Sequence, residues 1–156
     1  MVRPFLASLI ACAALAQPWP VTEGETLTGK KVALPTVFAG RSVVLVFSFS
    51  RNAGEKVRDW LEPLLKEGRD AWSVASLEAA PQLIRPIIRG GMRKDMTPAL
   101  RERTIVLYKN DKAWRKSLDV DRVKDDAPVL IMLDAAGKPV WRHNGFFDAA
   151  VLAQIP

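Results

Sequence analysis

The side chains best suited to covalent or metal chemistry are scarce in this sequence. Cys12 is the sole cysteine and His143 the sole histidine among 156 residues. One thiol cannot form the cysteine pair that thiol–disulfide exchange requires, and no other side chain replaces thiolate attack. The same counts exclude a Cys/His zinc site within one chain and a Cys–His protease pair. We therefore expect no metal, no cofactor and no redox activity.

A short polar segment is the clearest candidate for binding a small molecule. It consists of Ser50, Arg51, Asn52, Ala53, Gly54 and Glu55. It follows residues 42–49, an apolar, β-branched run that predicts a strand buried on both faces, and precedes a helix predicted over residues 55–66. Unpaired N–H groups at a helix N-terminus favour a bound carboxylate or phosphate. Alternatively, Asn52 caps the helix in a purely structural loop. Glu55 weakens an anion site, and Ser50 has no evident base for nucleophilic catalysis.

The second candidate surface is basic. The densest group of cations is Arg85, Arg89, Arg93, Lys94, Arg101 and Arg103. Only Asp95 and Glu102 offset them, in a chain of net charge +6. One interpretation is a face that contacts an acidic partner or an anionic membrane surface. The other is a solvated helix face, which charge runs usually form. Nucleic acid is not an expected partner, because the sequence contains no nucleic-acid-binding motif.

Residues 1–16 have the pattern of a secretory signal peptide. Arg3 supplies the positive charge, residues 5–15 are apolar, and an A-x-A cleavage site ends at Ala16. The run is shorter than the roughly 20 apolar residues needed to span a bilayer. We therefore expect an exported, periplasmic or otherwise extracytoplasmic protein. The alternative is a lipoprotein, since the residues ending at Cys12 resemble a bacterial lipobox.

The rest of the chain divides into a lead-in segment over residues 17–32 and one domain over residues 33–156. Strands are predicted over residues 32–38, 42–49, 71–77, 104–108, 129–133 and 139–143. Helices are predicted over residues 55–66, 81–89, 111–118 and 147–154, the second of them ended by Gly90 and Gly91. Alternating strands and helices imply parallel pairing, and the final hairpin adds an antiparallel edge.

Two stretches in this order resemble the thioredoxin-like superfamily, and its redoxin branch in particular. VVLVF at residues 43–47, with the following loop and amphipathic helix, resembles the strand and helix that flank the redox motif. APVLIMLDAAGKPV at residues 127–140 resembles the family's cis-proline strand and D-x-x-G-K hairpin. The resemblance implies an α/β fold with a central mixed sheet flanked by helices, and a cis bond between Ala127 and Pro128. The family's CxxC would fall within residues 49–56, which contain no cysteine.

Four further stretches are similar to the family of mitochondrial ATP synthase assembly factors. They are FSFSRNAGEKVRDW, LIRPIIRGGMRK, residues 108–114, and GKPVW followed by Gly145. Members of that family are thioredoxin-like proteins that chaperone a membrane-embedded subunit of the Fo sector, and this sequence looks like a bacterial relative. The similarity implies a redox-inactive binding or assembly factor for a membrane-associated protein client.

A different class of function stays open beside that one. In this alternative, the chain is a cysteine-independent enzyme, or a protein that binds an anionic ligand through residues 51–54. Substitution of Arg51 and Asn52 discriminates the two, because it should abolish an enzyme's activity. A binding role centred on residues 85–103 should change little.

Overall fold

The computed structural model describes residues 19–120 and 126–156. The predicted signal peptide, including Cys12, lies outside these ranges. The strands are β1 (Thr22–Thr26), β2 (Lys31–Leu34), β3 (Val43–Ser48), β4 (Ala71–Ser76), β5 (Thr104–Leu107), β6 (Val129–Leu133) and β7 (Pro139–Asn144). The α-helices are α1 (Arg51–Lys66), α2 (Arg85–Asp95), α3 (Pro98–Glu102), α4 (Asp111–Ser117) and α5 (Ala149–Leu152). A short 3-10 helix covers Thr36–Phe38.

The described strands form one mixed sheet in the order β2-β1-β5-β4-β3-β6-β7. β3, β4 and β5 pair in parallel. β6 runs antiparallel to β3, and β7 antiparallel to β6. The hairpin of β1 and β2 joins the other side of the sheet through an antiparallel pairing of β1 with β5. The predicted fold class, a central mixed sheet flanked by helices, is confirmed.

The position of β1 corrects the predicted domain boundary. The described part of the predicted lead-in segment, residues 19–32, belongs to the domain, because β1 is paired on both sides, with β2 and β5. Gly24 lies so close to β5 that an added Cβ would stand 2.8 Å from side-chain carbons of both Ile105 and Leu107. The Pro, Thr and Gly content of this stretch predicted an irregular segment. The glycine is instead needed within strand β1, where the neighbouring strand approaches closely.

Alternation along β3 separates the core into two layers. All six residues of β3 are buried, as predicted from its apolar run. Those at positions 43, 45 and 47 pack in the layer that contains Trp114 of α4. Those at positions 44 and 46 pack in the layer that contains Trp60 of α1. The sheet therefore fixes α1 and α4 on opposite faces.

Helix α2 extends beyond its predicted end. Gly90 and Gly91 lie inside the helix, although each glycine costs about 1 kcal/mol relative to alanine in a helix interior. The last carbonyl groups are satisfied by a side chain from α3, because Arg101 Nε donates to the carbonyl oxygens of Arg93 (2.7 Å) and Met96 (2.9 Å). This cap comes from the next helix, so the glycine signal at residues 90 and 91 did not mark the end of α2.

The predicted cis bond at Pro128 is not present. Among the described residues the cis peptide bond is Leu34–Pro35, and Ala127–Pro128 is trans. Trans is the intrinsically favoured form of an X–Pro bond by about 0.5–1 kcal/mol. In this conformation the Pro128 carbonyl oxygen accepts a hydrogen bond from the Gly145 N–H (3.1 Å).

Candidate functional site

The predicted polar loop is the beginning of α1 rather than a loop before it. Ser50 is the N-cap, in extended conformation, and its side chain accepts a hydrogen bond from the Ala53 N–H (3.1 Å). Asn52 therefore does not cap the helix. Ala53 lies three residues after the cap and is fully buried. The two positions span the first turn, with one side chain at the helix end and the other against the core.

Two charged contacts reduce the attraction of this turn for an external anion. Arg51 Nε lies 3.4 Å from Glu55 Oε1 across one helical turn, in a pair exposed to solvent. Asn52 Nδ2 donates to Asp126 Oδ1 (3.4 Å). Two carboxylates thus stand beside the donors that the anion-site hypothesis requires, and they oppose a bound anion electrostatically. The Arg51 side chain is 92% exposed, so it does not converge with other donors on one point.

An ion pair that the sequence analysis missed lies beneath this turn. Arg115 Nε contacts Asp111 Oδ1 at 2.5 Å, with both side chains largely buried. Asp111 also accepts from Ser76 Oγ (2.5 Å), and Arg115 Nη2 donates to the Phe49 carbonyl oxygen (3.1 Å). The pair ties α4 to the carboxyl ends of β3 and β4, where ligands bind in many α/β proteins. Its i, i+4 spacing on a predicted helix was the available sequence signal.

The contact between Asn52 and Asp126 brings together two segments that are far apart in sequence. It places the N-terminus of α1 beside the chain entering β6, where Ala127 and Pro128 lie. Trp60 reinforces this end of the molecule, because its Nε1–H donates to the Gly145 carbonyl oxygen (3.0 Å). The two candidate segments inferred from the superfamily resemblance therefore adjoin one another.

The predicted basic face is divided among internal contacts. Arg85 donates from Nε to the Ala80 carbonyl oxygen (2.9 Å), and its guanidinium lies over the Tyr108 ring. Arg89 Nη2 contacts Glu25 Oε1 (3.0 Å) and the carbonyl oxygen of Thr26 (3.1 Å). Burial works to lower the pKa of Arg89, but the Glu25 carboxylate outweighs it and the pKa is raised. Both arginines therefore anchor α2 to the domain.

Arg101 and Arg103 are also occupied, so four of the six cations are held by contacts within the domain. Arg101 caps α2 as described above, and Arg103 Nη1 contacts Asp70 Oδ1 (2.6 Å) near the start of β4. Arg93 and Lys94, in the last turn of α2, are exposed. They are the members of the group best placed to meet a partner.

Asp70 is the centre of a separate polar cluster. It accepts from Arg41 Nη2 (2.7 Å), from Arg103 Nη1 (2.6 Å) and from Trp72 Nε1 (2.9 Å). Burial works to raise the pKa of Asp70, but hydrogen bonds from Trp72, Arg41 and Arg103 outweigh it. The pKa of Asp70 therefore lies below its ordinary 3.8.

This shift predicts a specific acid sensitivity. A carboxyl whose pKa is lowered by folding stabilises the native state above its ordinary pKa, and that stabilisation is lost as the pH falls through the lowered value. Asp70→Asn should therefore lower the urea midpoint at neutral pH and flatten its decline below about pH 4. Urea titrations across this range check the expectation. A midpoint that declines as steeply in the variant as in the parent would contradict it.

Apolar residues at and just before the start of α2 are exposed. Leu83 is 91% exposed, Ile87 73% and Ile84 42%. Helix α2 itself contributes no buried residue. Only Ile87 of these three lies within α2, because Leu83 and Ile84 precede Arg85. The helix predicted over residues 81–89 therefore begins four residues later than expected.

The structure also bears on two other classes of site. Within residues 19–120 and 126–156, no helix has the length and apolarity needed to cross a membrane. The same ranges contain no group of three or more His, Cys, Asp or Glu side chains arranged to hold a metal ion.

Solved structures similar to this chain share its fold. The exposed lipoprotein thioredoxin Etrx1 of Streptococcus pneumoniae is 19% identical, with a TM-score of 0.61, over 86% of this chain and 96% of the other. BsSco, a member of the Sco family of cytochrome c oxidase assembly proteins, is 14% identical, with a TM-score of 0.60, over 86% and 89%. StoA of Bacillus subtilis is 14% identical, with a TM-score of 0.52, over 86% and 95%.

No protein-family model matches the sequence, and no curated protein matches it significantly. The solved structures described above nevertheless show that the chain has a thioredoxin-like fold, of the kind that redoxins adopt. At 14–19% identity these structures show the fold alone, and they do not support the narrower similarity to ATP synthase assembly factors.

Proposed function

We propose that this chain is a redox-inactive thioredoxin-like protein that acts outside the cytoplasm as a binding or assembly factor for a membrane-associated protein client. The observation that carries the proposal is the first turn of α1. Ser50 and Ala53 stand there at the spacing of a CxxC motif, on a fold that otherwise retains the thioredoxin-like strands and helix. A retained scaffold without the thiol pair favours binding over exchange chemistry.

The sequence and the similar structures support the proposed location and class. Residues 1–16 have the signal-peptide pattern. Etrx1 is an exposed lipoprotein, and BsSco belongs to the Sco family of cytochrome c oxidase assembly proteins. The similarity to ATP synthase assembly factors points in the same direction, toward a client in a membrane complex.

The end of the domain formed by Asn52 and residues 126–128 is the proposed client-binding site. The superfamily resemblance implies that extended peptide binds along the backbone beside Pro128, although the superfamily's proline is cis and the Ala127–Pro128 bond here is trans. Here the adjacent Phe49 and Ser50 are held by the Arg115 contact and the helix cap. A rigid backbone edge of this kind lowers the ordering cost of binding an extended segment.

Site-specific crosslinking tests the proposal. A photoreactive amino acid is placed at Asn52 or Asp126 of the full-length protein, expressed in its native host, and crosslinked products in detergent-solubilised membranes are identified by mass spectrometry. The control position is Lys31, an exposed residue on β2. We expect one membrane protein to be crosslinked from both test positions and not from Lys31. A co-purifying small anion with no crosslinked protein would overturn the proposal in favour of the ligand-binding alternative.

A further inference from the structure

The exposed side of α2 has the composition of a surface that contacts a membrane. We define the α2 ridge as Leu83, Ile84, Ile87, Arg93 and Lys94. Leu83 and Ile84 lie in the turn that leads into the helix, Ile87 lies in its first turn, and the two cations occupy its last turn. Exposed apolar residues together with basic residues on one helix are typical of helices that lie in a bilayer interface.

Nothing in the described part of the chain covers this ridge. Helix α2 is held to the domain by polar anchors, the guanidinium groups of Arg85, Arg89 and Arg101, rather than by a buried apolar face. A Cβ added at Gly90 or Gly91 would meet no atom within 4 Å. Leu83 and Ile87 are themselves 91% and 73% exposed, so burial within the described domain does not account for their apolar character.

An open basic groove adjoins the helix. It has a volume of about 660 Å³ and is lined by Arg85, Arg89, Arg93 and Tyr108, among others. Arg89 Nε is buried in the protein and has no hydrogen-bond partner there. Guanidinium donors are the groups that bind phosphate most readily, because their planar fork presents several N–H bonds at once. Arg85 and Arg89 are held by contacts within the domain, so the exposed Arg93 is the arginine of the groove best placed to meet a lipid phosphate next to the apolar ridge.

We propose that the α2 ridge docks on an anionic phospholipid bilayer, with Leu83, Ile84 and Ile87 inserted among the headgroups and the cations beside lipid phosphates. This inference rests on the proposed function, whose client is membrane-associated, and adds the surface that holds the protein at the membrane. A stable protein interface buries about 800 Å² on each partner. Three apolar side chains with flanking cations form a smaller surface, which suits reversible lipid binding better than a stable protein interface.

A position-specific measurement separates this docking from any binding by residues 1–18. In the full chain carrying Cys12→Ser, a nitroxide is attached to Ile87→Cys, and its accessibility to oxygen and to an aqueous nickel chelate is measured by electron paramagnetic resonance. The control nitroxide is at Val140→Cys, on β7 and also exposed. With equimolar phosphatidylglycerol and phosphatidylcholine vesicles, oxygen access should rise and nickel access fall at position 87 alone. Pure phosphatidylcholine should change neither position.

Charge reversal tests the contribution of the cations. Arg93→Glu with Lys94→Glu should weaken the vesicle affinity reported by the position-87 nitroxide by about tenfold or more, since each juxtamembrane cation contributes severalfold. Lys30→Glu with Lys31→Glu is the matched control, because it changes net charge equally at two adjacent exposed residues on the β1–β2 hairpin. An equal loss of affinity in both variants would show a general charge effect and overturn the proposal.

The outcomes also distinguish this inference from the proposed function. A position-87 nitroxide that stays in water while the chain binds vesicles would overturn α2 docking and leave client binding at Asn52 and Asp126 intact. A photoreactive group at position 87 that crosslinks a protein rather than lipid would assign the ridge to a protein partner. Loss of the Asn52 and Asp126 crosslinks with normal nitroxide insertion would overturn the function and retain the membrane surface.

Discussion

Ser50→Cys with Ala53→Cys, in a Cys12→Ser background, is expected to give a chain that forms an intramolecular disulfide and reduces a test disulfide substrate. Ser50 already occupies the N-cap of α1, and Ala53 lies one turn later against the core. A thiol at a helix N-terminus has its pKa lowered from about 8.5, often by one unit or more, because the helix dipole stabilises the thiolate. The scaffold should therefore support the chemistry once the two side chains are supplied.

The measurement is the count of free thiols after exposure to oxidised glutathione, together with the pH dependence of alkylation at position 50. Ser50→Cys with Ala53→Ser is the control, and it should form only a mixed disulfide with glutathione. If the double-cysteine chain also gives only mixed disulfides, the first turn of α1 does not have the geometry of the superfamily's redox site. Crosslinking of the client from Asp126 should persist in the redox-competent chain, because the proposed function does not use a thiol.

The elements that the sequence predicts well are those whose signal is local and continuous. The continuous apolar, β-branched run over residues 42–49 predicts a buried strand, and β3 is buried throughout. The D-x-x-G-K turn predicts the hairpin of β6 and β7, because Gly137 adopts a positive φ of 78°. Strand–helix alternation then orders the parallel strands without further information.

The elements that the sequence predicts badly depend on distant partners. The end of α2 is set by Arg101, which lies beyond the helix in sequence. Whether Arg89 and Arg103 can meet a partner depends on Glu25 and Asp70, which form ion pairs with them. The fold brings these carboxylates close, although they lie outside residues 85–103 in sequence. The anion-site hypothesis is weakened by Asp126, a carboxylate 74 residues after Asn52. Composition and periodicity contain no information about such pairs.

Strand β1 was missed for the same reason, because its place in the sheet depends on pairing with β5, which is distant in sequence. Trp114 is the core residue that holds β1 through a side-chain hydrogen bond. Trp114 is 2% exposed, and its Nε1–H donates to Thr22 Oγ1 (2.9 Å). The Trp114 ring is stacked on Trp19 with centroids 6.0 Å apart and is tilted against Phe47 at 5.3 Å. One side chain of α4 thus fixes β1, the preceding residues and the central strand to a single core.

Trp114→Ala should therefore reduce the free energy of unfolding by about 3–5 kcal/mol, as for large aromatic residues removed from well-packed cores. That is a large fraction of the roughly 5–15 kcal/mol by which a domain is stable. Trp114→Phe should cost only about 1–2 kcal/mol, because it keeps most of the ring contacts and loses the hydrogen bond to Thr22. Urea unfolding monitored by circular dichroism gives both values.

Trp141→Ala is the matched control, since Trp141 is half-buried on β7 and its ring stacks on His143. It should cost about 1 kcal/mol, the usual size for a partly exposed side chain. Limited proteolysis should also cut residues 22–34 sooner in Trp114→Ala than in Trp141→Ala, because β1 loses the side chain that holds its Thr22 end. Equal unfolding free energies for these two variants would mean that β1 is not part of the cooperative core. The originally predicted boundary at residue 33 would then describe the folding unit better than the sheet does.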